Sequence, residues 1–163
     1  MKKSTILLLV VVYILSFFII GLLGHSIRNY NPEIYPESLT ISEPDKRTEM
    51  SKDVVDEETN ELLYHYYFVY KNYKSGESVR IKADVKPDNT NWPTAEYKKD
   101  ESDTSFKIET NATNPNIEKN YFVITPLVDV DTVLSTPFSI KTANPGTKIE
   151  LKICITFVNP ALS

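Results

Sequence analysis

The chain reads as an all-β protein: a β-sandwich of roughly 7–9 strands behind one N-terminal transmembrane helix. Three observations carry this. One long apolar run opens the chain, short alternating segments separated by Gly, Pro and Asn turns fill the rest, and no long helical pattern follows the first run. The residue supply agrees, because Tyr, Val, Ile and Thr are plentiful and suit pleated, half-buried surfaces.

The opening run comes first. Ser4–Ile27 is 24 residues without Asp, Glu, Lys or Arg, and Ile6–Leu23 is aliphatic or aromatic apart from Ser16 and Gly21. At ~1.5 Å per residue, about 20 apolar residues cross a hydrocarbon core of ~30 Å. Residues 4–24 are therefore read as a signal-anchor helix. A removable signal peptide has an apolar stretch of about 7–15 residues. Gly24-His25-Ser26 does offer small residues where a peptidase reads, so a cleaved, secreted form stands as the alternative. Lys2 and Lys3 precede the run and only Arg28 follows closely, which places residues 1–3 in the cytoplasm and the remainder outside. The expected location is the cell membrane, single-pass, with the C-terminal domain extracytoplasmic. Residues 25–37, with Pro32 and Pro36, read as a linker, 38–158 as the sandwich, and 159–163 as a tail.

Removing Lys2 and Lys3 leaves 16 basic against 22 acidic residues, a net of −6 for the exported part. That balance speaks against nucleic acid as a partner, because binding it needs clustered Lys and Arg. It speaks equally against adhesion to anionic lipid. The single Cys154 allows no internal disulfide, so packing must stabilise the domain.

Along the domain, Ser38–Ser42 alternates and stops at Pro44, a first strand. Val54–Leu63 reads as a hairpin whose Asn60 takes the left-handed turn position, with a helix from Asp53 as the rival. ELLYHYYFVYKNY, Glu61–Tyr73, is apolar or aromatic on both faces and reads as a central strand. After the turn at Lys74–Glu77, Val79, Ile81, Ala83 and Val85 point one way and Ser78, Arg80, Lys82 and Asp84 the other. Ala95–Lys98 and Thr104–Thr110 are expected to pair with each other across the charged turn 99–103. Tyr121–Val130 is a strand bent or interrupted at Pro126. Phe138–Lys141 turns through Asn144-Pro145-Gly146-Thr147 into Lys148–Phe157, whose Ile149, Leu151, Ile153, Ile155 and Phe157 share the one core face.

That closing stretch, Asn144–Ile153 followed by Phe157-Val158-Asn159-Pro160, resembles the last hairpin of immunoglobulin-like domains on bacterial surfaces. Those often have a Pro-Gly turn, a long alternating strand and an Asn-Pro exit. The resemblance covers under a fifth of the chain. It implies an immunoglobulin-like sandwich used as a spacer or binding module, and brings no site residues with it. The Cys–Trp–Cys signature of antibody-type domains is absent.

Each chemical constellation has a plainer structural reading beside it. His65 and Cys154 are the pair a nucleophilic mechanism would need, but a His among Tyr and Phe packs. Asp129–Asp131 and Asp100–Asp103 offer oxygen ligands for a cation without the glycine and spacing of a calcium loop. They read as solvated turns, and no metal or other cofactor is expected. Tyr64, Tyr66, Phe68 and Tyr70 share a strand face that is either core or a stacking platform. Trp92, in a polar loop, either folds over the end of the sandwich or marks a contact. Cys154 is an exposed thiol or a covered small apolar residue. Asn111-Ala112-Thr113 is a glycosylation sequon, meaningful only in a host that uses it. The residues singled out for partner contact are Trp92, Tyr64, Tyr66 and Tyr70, with a protein or glycan as partner and residues 4–24 in the membrane. The expected role is non-catalytic: binding, adhesion or envelope assembly. An accessory subunit acting through its transmembrane helix is the other class.

Overall fold

The computed structural model describes residues 3–28, 32–42, 47–74, 76–128 and 133–159. The chain divides into two units, one ending at Glu33 and one beginning at Ile34.

The first unit holds helix α1, Lys3–Arg28. Its described side chains run from Val10 to Gly24 and are exposed. Within it the Ser16 hydroxyl donates to the Val12 carbonyl at 2.8 Å, which satisfies that hydroxyl inside an apolar surface. Among the described residues no helix is long and apolar enough to cross a membrane.

Among the described residues the second unit holds nine strands and no helix: β1 Ser38–Ser42, β2 Thr48–Val55, β3 Leu62–Tyr70, β4 Val79–Lys86, β5 Ala95–Lys98, β6 Phe106–Glu109, β7 Tyr121–Pro126, β8 Val133–Thr142 and β9 Glu150–Val158. They form a four-stranded sheet in the order β1-β4-β7-β6 and a five-stranded sheet in the order β2-β3-β9-β8-β5. Every pairing is antiparallel except β3 with β9, which is parallel and starts at Tyr66 opposite Ile153. One buried cluster draws on both sheets: Leu39, Ile41, Val79, Ile81, Phe106 and Phe122 from the first, Phe68, Tyr70, Ile140, Ile153, Ile155 and Phe157 from the second. This two-layer core is consistent with a β-sandwich.

The turns follow their residues. Asn60, Gly76 and Gly146 lie at φ +56°, +85° and +77°, the left-handed conformation that Asn and Gly tolerate. At the last hairpin, the Asn144 side-chain amide donates to the carbonyls of Pro145 and Thr147 at 3.1 and 2.9 Å, so one side chain closes the turn.

Several expectations change. Residues 53–55 are strand, not the rival helix. β5 and β6 do not pair with each other: β5 joins β8 in one sheet, and β6 joins β7 in the other. The charged turn 99–103 is thus a crossover between sheets. Of the two alternatives at Pro126, interruption holds: the strand from Tyr121 ends there, where the ring removes the donor a further ladder bond would need. β9 is buried on both faces in its second half, with Cys154 and Thr156 at 1% and 4% exposure. Within the stretch expected as linker, 25–37, α1 runs to Arg28 and Ile34 and Glu37 are hydrogen-bonded to the β unit. Asp129, Asp131 and most of the tail 159–163 lie outside the described residues.

Candidate functional site

Strict alternation decides which face of the five-stranded sheet is left for function. On β9, Leu151, Ile153, Ile155 and Phe157 enter the core, while Lys152, Cys154 and Thr156 project to the other face. Register then sets their neighbours. Cys154 stands between Tyr67 of β3 and Pro137 of β8, and Thr156 between Val69 and Ser135.

A polar seam fastens this face. The Thr156 hydroxyl donates to the Tyr67 phenol oxygen at 2.9 Å, and Ser135 and Thr156 share a hydrogen bond at 3.1 Å. Tyr64 tilts against Tyr67, ring centroids 6.0 Å apart, and its hydroxyl meets the Cys154 thiol. Burial pushes the Cys154 thiol up from its ordinary value, against the opposing pull of hydrogen bonds from Thr156 and its neighbours. Burial also pushes the Tyr64 phenol up, with the adjacent Cys154 adding to it. Both groups therefore stay neutral near pH 7. Cys154 is the covered small residue, not the exposed thiol.

Beside this seam lies an open groove of about 460 Å³ that crosses the sheet from β3 to β5. Tyr64 and Pro137 supply apolar wall, and Lys98, Lys152, Glu150 and Asp100 supply charge. Glu150 accepts from the Ser139 hydroxyl at 2.5 Å. Asp100 accepts from the Ser102 amide and hydroxyl at 2.9 and 2.7 Å, which lowers its pKa. Lys99 turns inward, its ammonium donating to the carbonyls of Asp103 and Phe106. At the same end, His65 Nδ1 accepts the backbone N–H of Lys152 at 2.9 Å, just before the parallel ladder begins.

The singled-out aromatics separate. Tyr66 and Tyr70, expected either in the core or on a platform, are 7% and 0% exposed and belong to the core. Tyr64 leaves that row and lines the groove. Trp92 lies elsewhere, half-buried and stacked on Tyr35 with centroids 4.7 Å apart. The stack closes a clamp. Ile34 N–H donates to Asn91 Oδ1 at 2.6 Å, Asn91 N–H and Thr90 Oγ1 donate to the Ile34 carbonyl, and Glu37 N–H donates to the Lys86 carbonyl. Trp92 thus holds the incoming chain to the loop 87–93.

Asp100 and Asp103 each cap their own turn, Asp103 through the Ser105 amide and hydroxyl. Among the described residues no three or more His, Cys, Asp or Glu are grouped to hold a metal ion. Asn111 is exposed and donates to the Ile117 carbonyl at 2.7 Å. Reading the sequence missed Lys98, Pro137, Ser139 and Lys152 as one group, because their meeting depends on β5 pairing with β8.

No protein-family model, curated protein or solved structure matches the chain.

Proposed function

We propose that the chain is a membrane-anchored, immunoglobulin-like binding module, working outside the cytoplasm and without catalysis. The observation that carries the fold reading is the strand order. Taking β1 as A, β4 as B and β5 to β9 as C to G, the orders β1-β4-β7-β6 and β5-β8-β9 become A-B-E-D and C-F-G, the two sheets of an immunoglobulin domain. β2 and β3 are then an added hairpin between A and B, with β3 running parallel to G. An arrangement of this kind arises from the same short connections in many surface proteins, and it argues for architecture alone.

A groove with aromatic wall and charged rim suits recognition of another surface. A catalytic use of His65 and Cys154 is disfavoured by their chemistry: one imidazole nitrogen is taken by the Lys152 amide, and the thiol is held neutral. The membrane reading rests on the 24-residue uncharged run Ser4–Ile27 and the lysines before it.

The test uses the full chain in its own cells, with a photo-reactive residue at Ser139 in the groove or at Lys107 on the other sheet. Carbonate-resistant membrane association, removal of the β unit by external protease, and crosslinks from position 139 but not 107 are expected. A protease-protected β unit, or a free product starting near residue 27, overturns the location. Equal crosslinking from both positions overturns the face.

A further inference from the structure

We infer that the groove on the five-stranded sheet receives the β2–β3 hairpin of a second copy of this chain, giving a two-fold dimer. The inference rests on reading this face as the binding surface and names its partner. Two features of opposite charge lie side by side on the same sheet. Between Asp53 and Glu61 the hairpin carries Asp53, Asp56, Glu57, Glu58 and Glu61 and no base. The tip is exposed except for Asp56, and Val55 and Leu63 at its stem are 44% and 42% exposed. Asp56 is occupied in holding the turn, accepting from the amides of Glu58 and Thr59, so the other four acids are free to face outward.

The groove is the complement. Lys98 and Lys152 are exposed, and neither ammonium has an ion-pair or hydrogen-bond partner among the described residues. Its two carboxylates, Glu150 and Asp100, accept from Ser139 and Ser102 and keep their charge, and with Lys99 the three lysines of the lining outnumber them by one. Tyr64 and Pro137 offer apolar wall to match Val55 and Leu63. In a domain of net negative charge, two cations without partners among the described residues, set over apolar surface, select an acidic, partly apolar segment.

Geometry makes the arrangement reciprocal. Tyr64 pairs with Val54 in the hairpin stem and also lines the groove, so donor and acceptor share an edge. A two-fold axis through that edge sets each hairpin on the other copy's groove. Such an isologous contact closes at two and does not propagate.

The experiment is sedimentation of the full chain in mild detergent, with circular dichroism to confirm folding of each variant. Wild type is expected to dimerise at micromolar concentration and to dissociate as salt rises. K98E/K152E, and separately E57K/E58K/E61K, are each expected to weaken self-association about tenfold or more. An equimolar mixture of the two variants is expected to restore a heterodimer, which helix-driven association would not require. A monomeric wild type, dimers indifferent to either reversal, or failure of the mixture to recover each overturn the self-pairing. Crosslinks from position 139 to a different protein, with a monomeric chain, would overturn the second copy while leaving the surface standing.

Discussion

His65 Nδ1 accepts the backbone N–H of Lys152 at 2.9 Å, one residue before β3 and β9 begin their parallel ladder. The side chain supplies the bond that the backbone of β3 does not yet provide. His65→Ala leaves that amide to water and is expected to cost about 0.5–1 kcal/mol. Faster hydrogen exchange at the Lys152 amide would check it; unchanged exchange would show that the imidazole does not hold the strand.

The aromatic row of β3 divides between core and surface, and mutation should divide with it. Phe68→Ala removes a fully buried ring and is expected to cost about 3–5 kcal/mol in unfolding free energy. Tyr64→Ala, at the groove, should cost under about 1.5 kcal/mol. Comparable losses from urea unfolding would contradict the placement of Tyr64.

Cys154 should behave as a buried neutral thiol. Its alkylation by iodoacetamide at pH 7.5 is expected to be slow in the folded chain, and non-reducing electrophoresis should show no disulfide-linked dimer. Tyr64→Ala uncovers it and should speed labelling ~10-fold or more. Fast labelling of the unmutated chain would refute the cover.

Four carboxylates are held below their ordinary values by hydrogen bonds to their own turns: Asp56 by Thr59 and Glu58, Glu77 by Lys74, Asp100 by Ser102 and Asp103 by Ser105. A depressed folded pKa stabilises above the unfolded value, about 4, and that contribution disappears as pH falls through the folded one. The melting temperature should therefore decline below about pH 4. Glu77 also pairs with Arg47 at 3.1 Å, so Glu77→Gln should lower melting at neutral pH and flatten the acid decline. An identical acid limb in that variant would remove Glu77 from the account.

Trp92→Ala takes one ring from the Tyr35 stack and should cost about 0.5–1.5 kcal/mol. The amides of Ile34 and Asn91 should exchange faster, since their bonds tie Ile34–Glu37 to the loop. Crosslinking from Ser139 should be unaffected. Its loss would make Trp92 part of the binding surface after all.

What could be read from residues alone was local. Val79, Ile81, Ala83 and Val85 alternate with period two, and all four are buried. Asn60 and Gly146 sit at the positive φ their turns demanded. These features depend on one strand or one turn, where side-chain geometry acts within a few residues. Which strands meet is another kind of fact. Nothing in Ala95–Lys98 or Phe106–Glu109 says that they part to opposite sheets, because that follows from closing one core over both. The groove inherits this dependence. Tyr64, Lys98 and Lys152 are far apart along the chain and come together only when β3, β9, β8 and β5 lie in order. Side-chain period belongs to the strand, but neighbourhood belongs to the whole packed sheet.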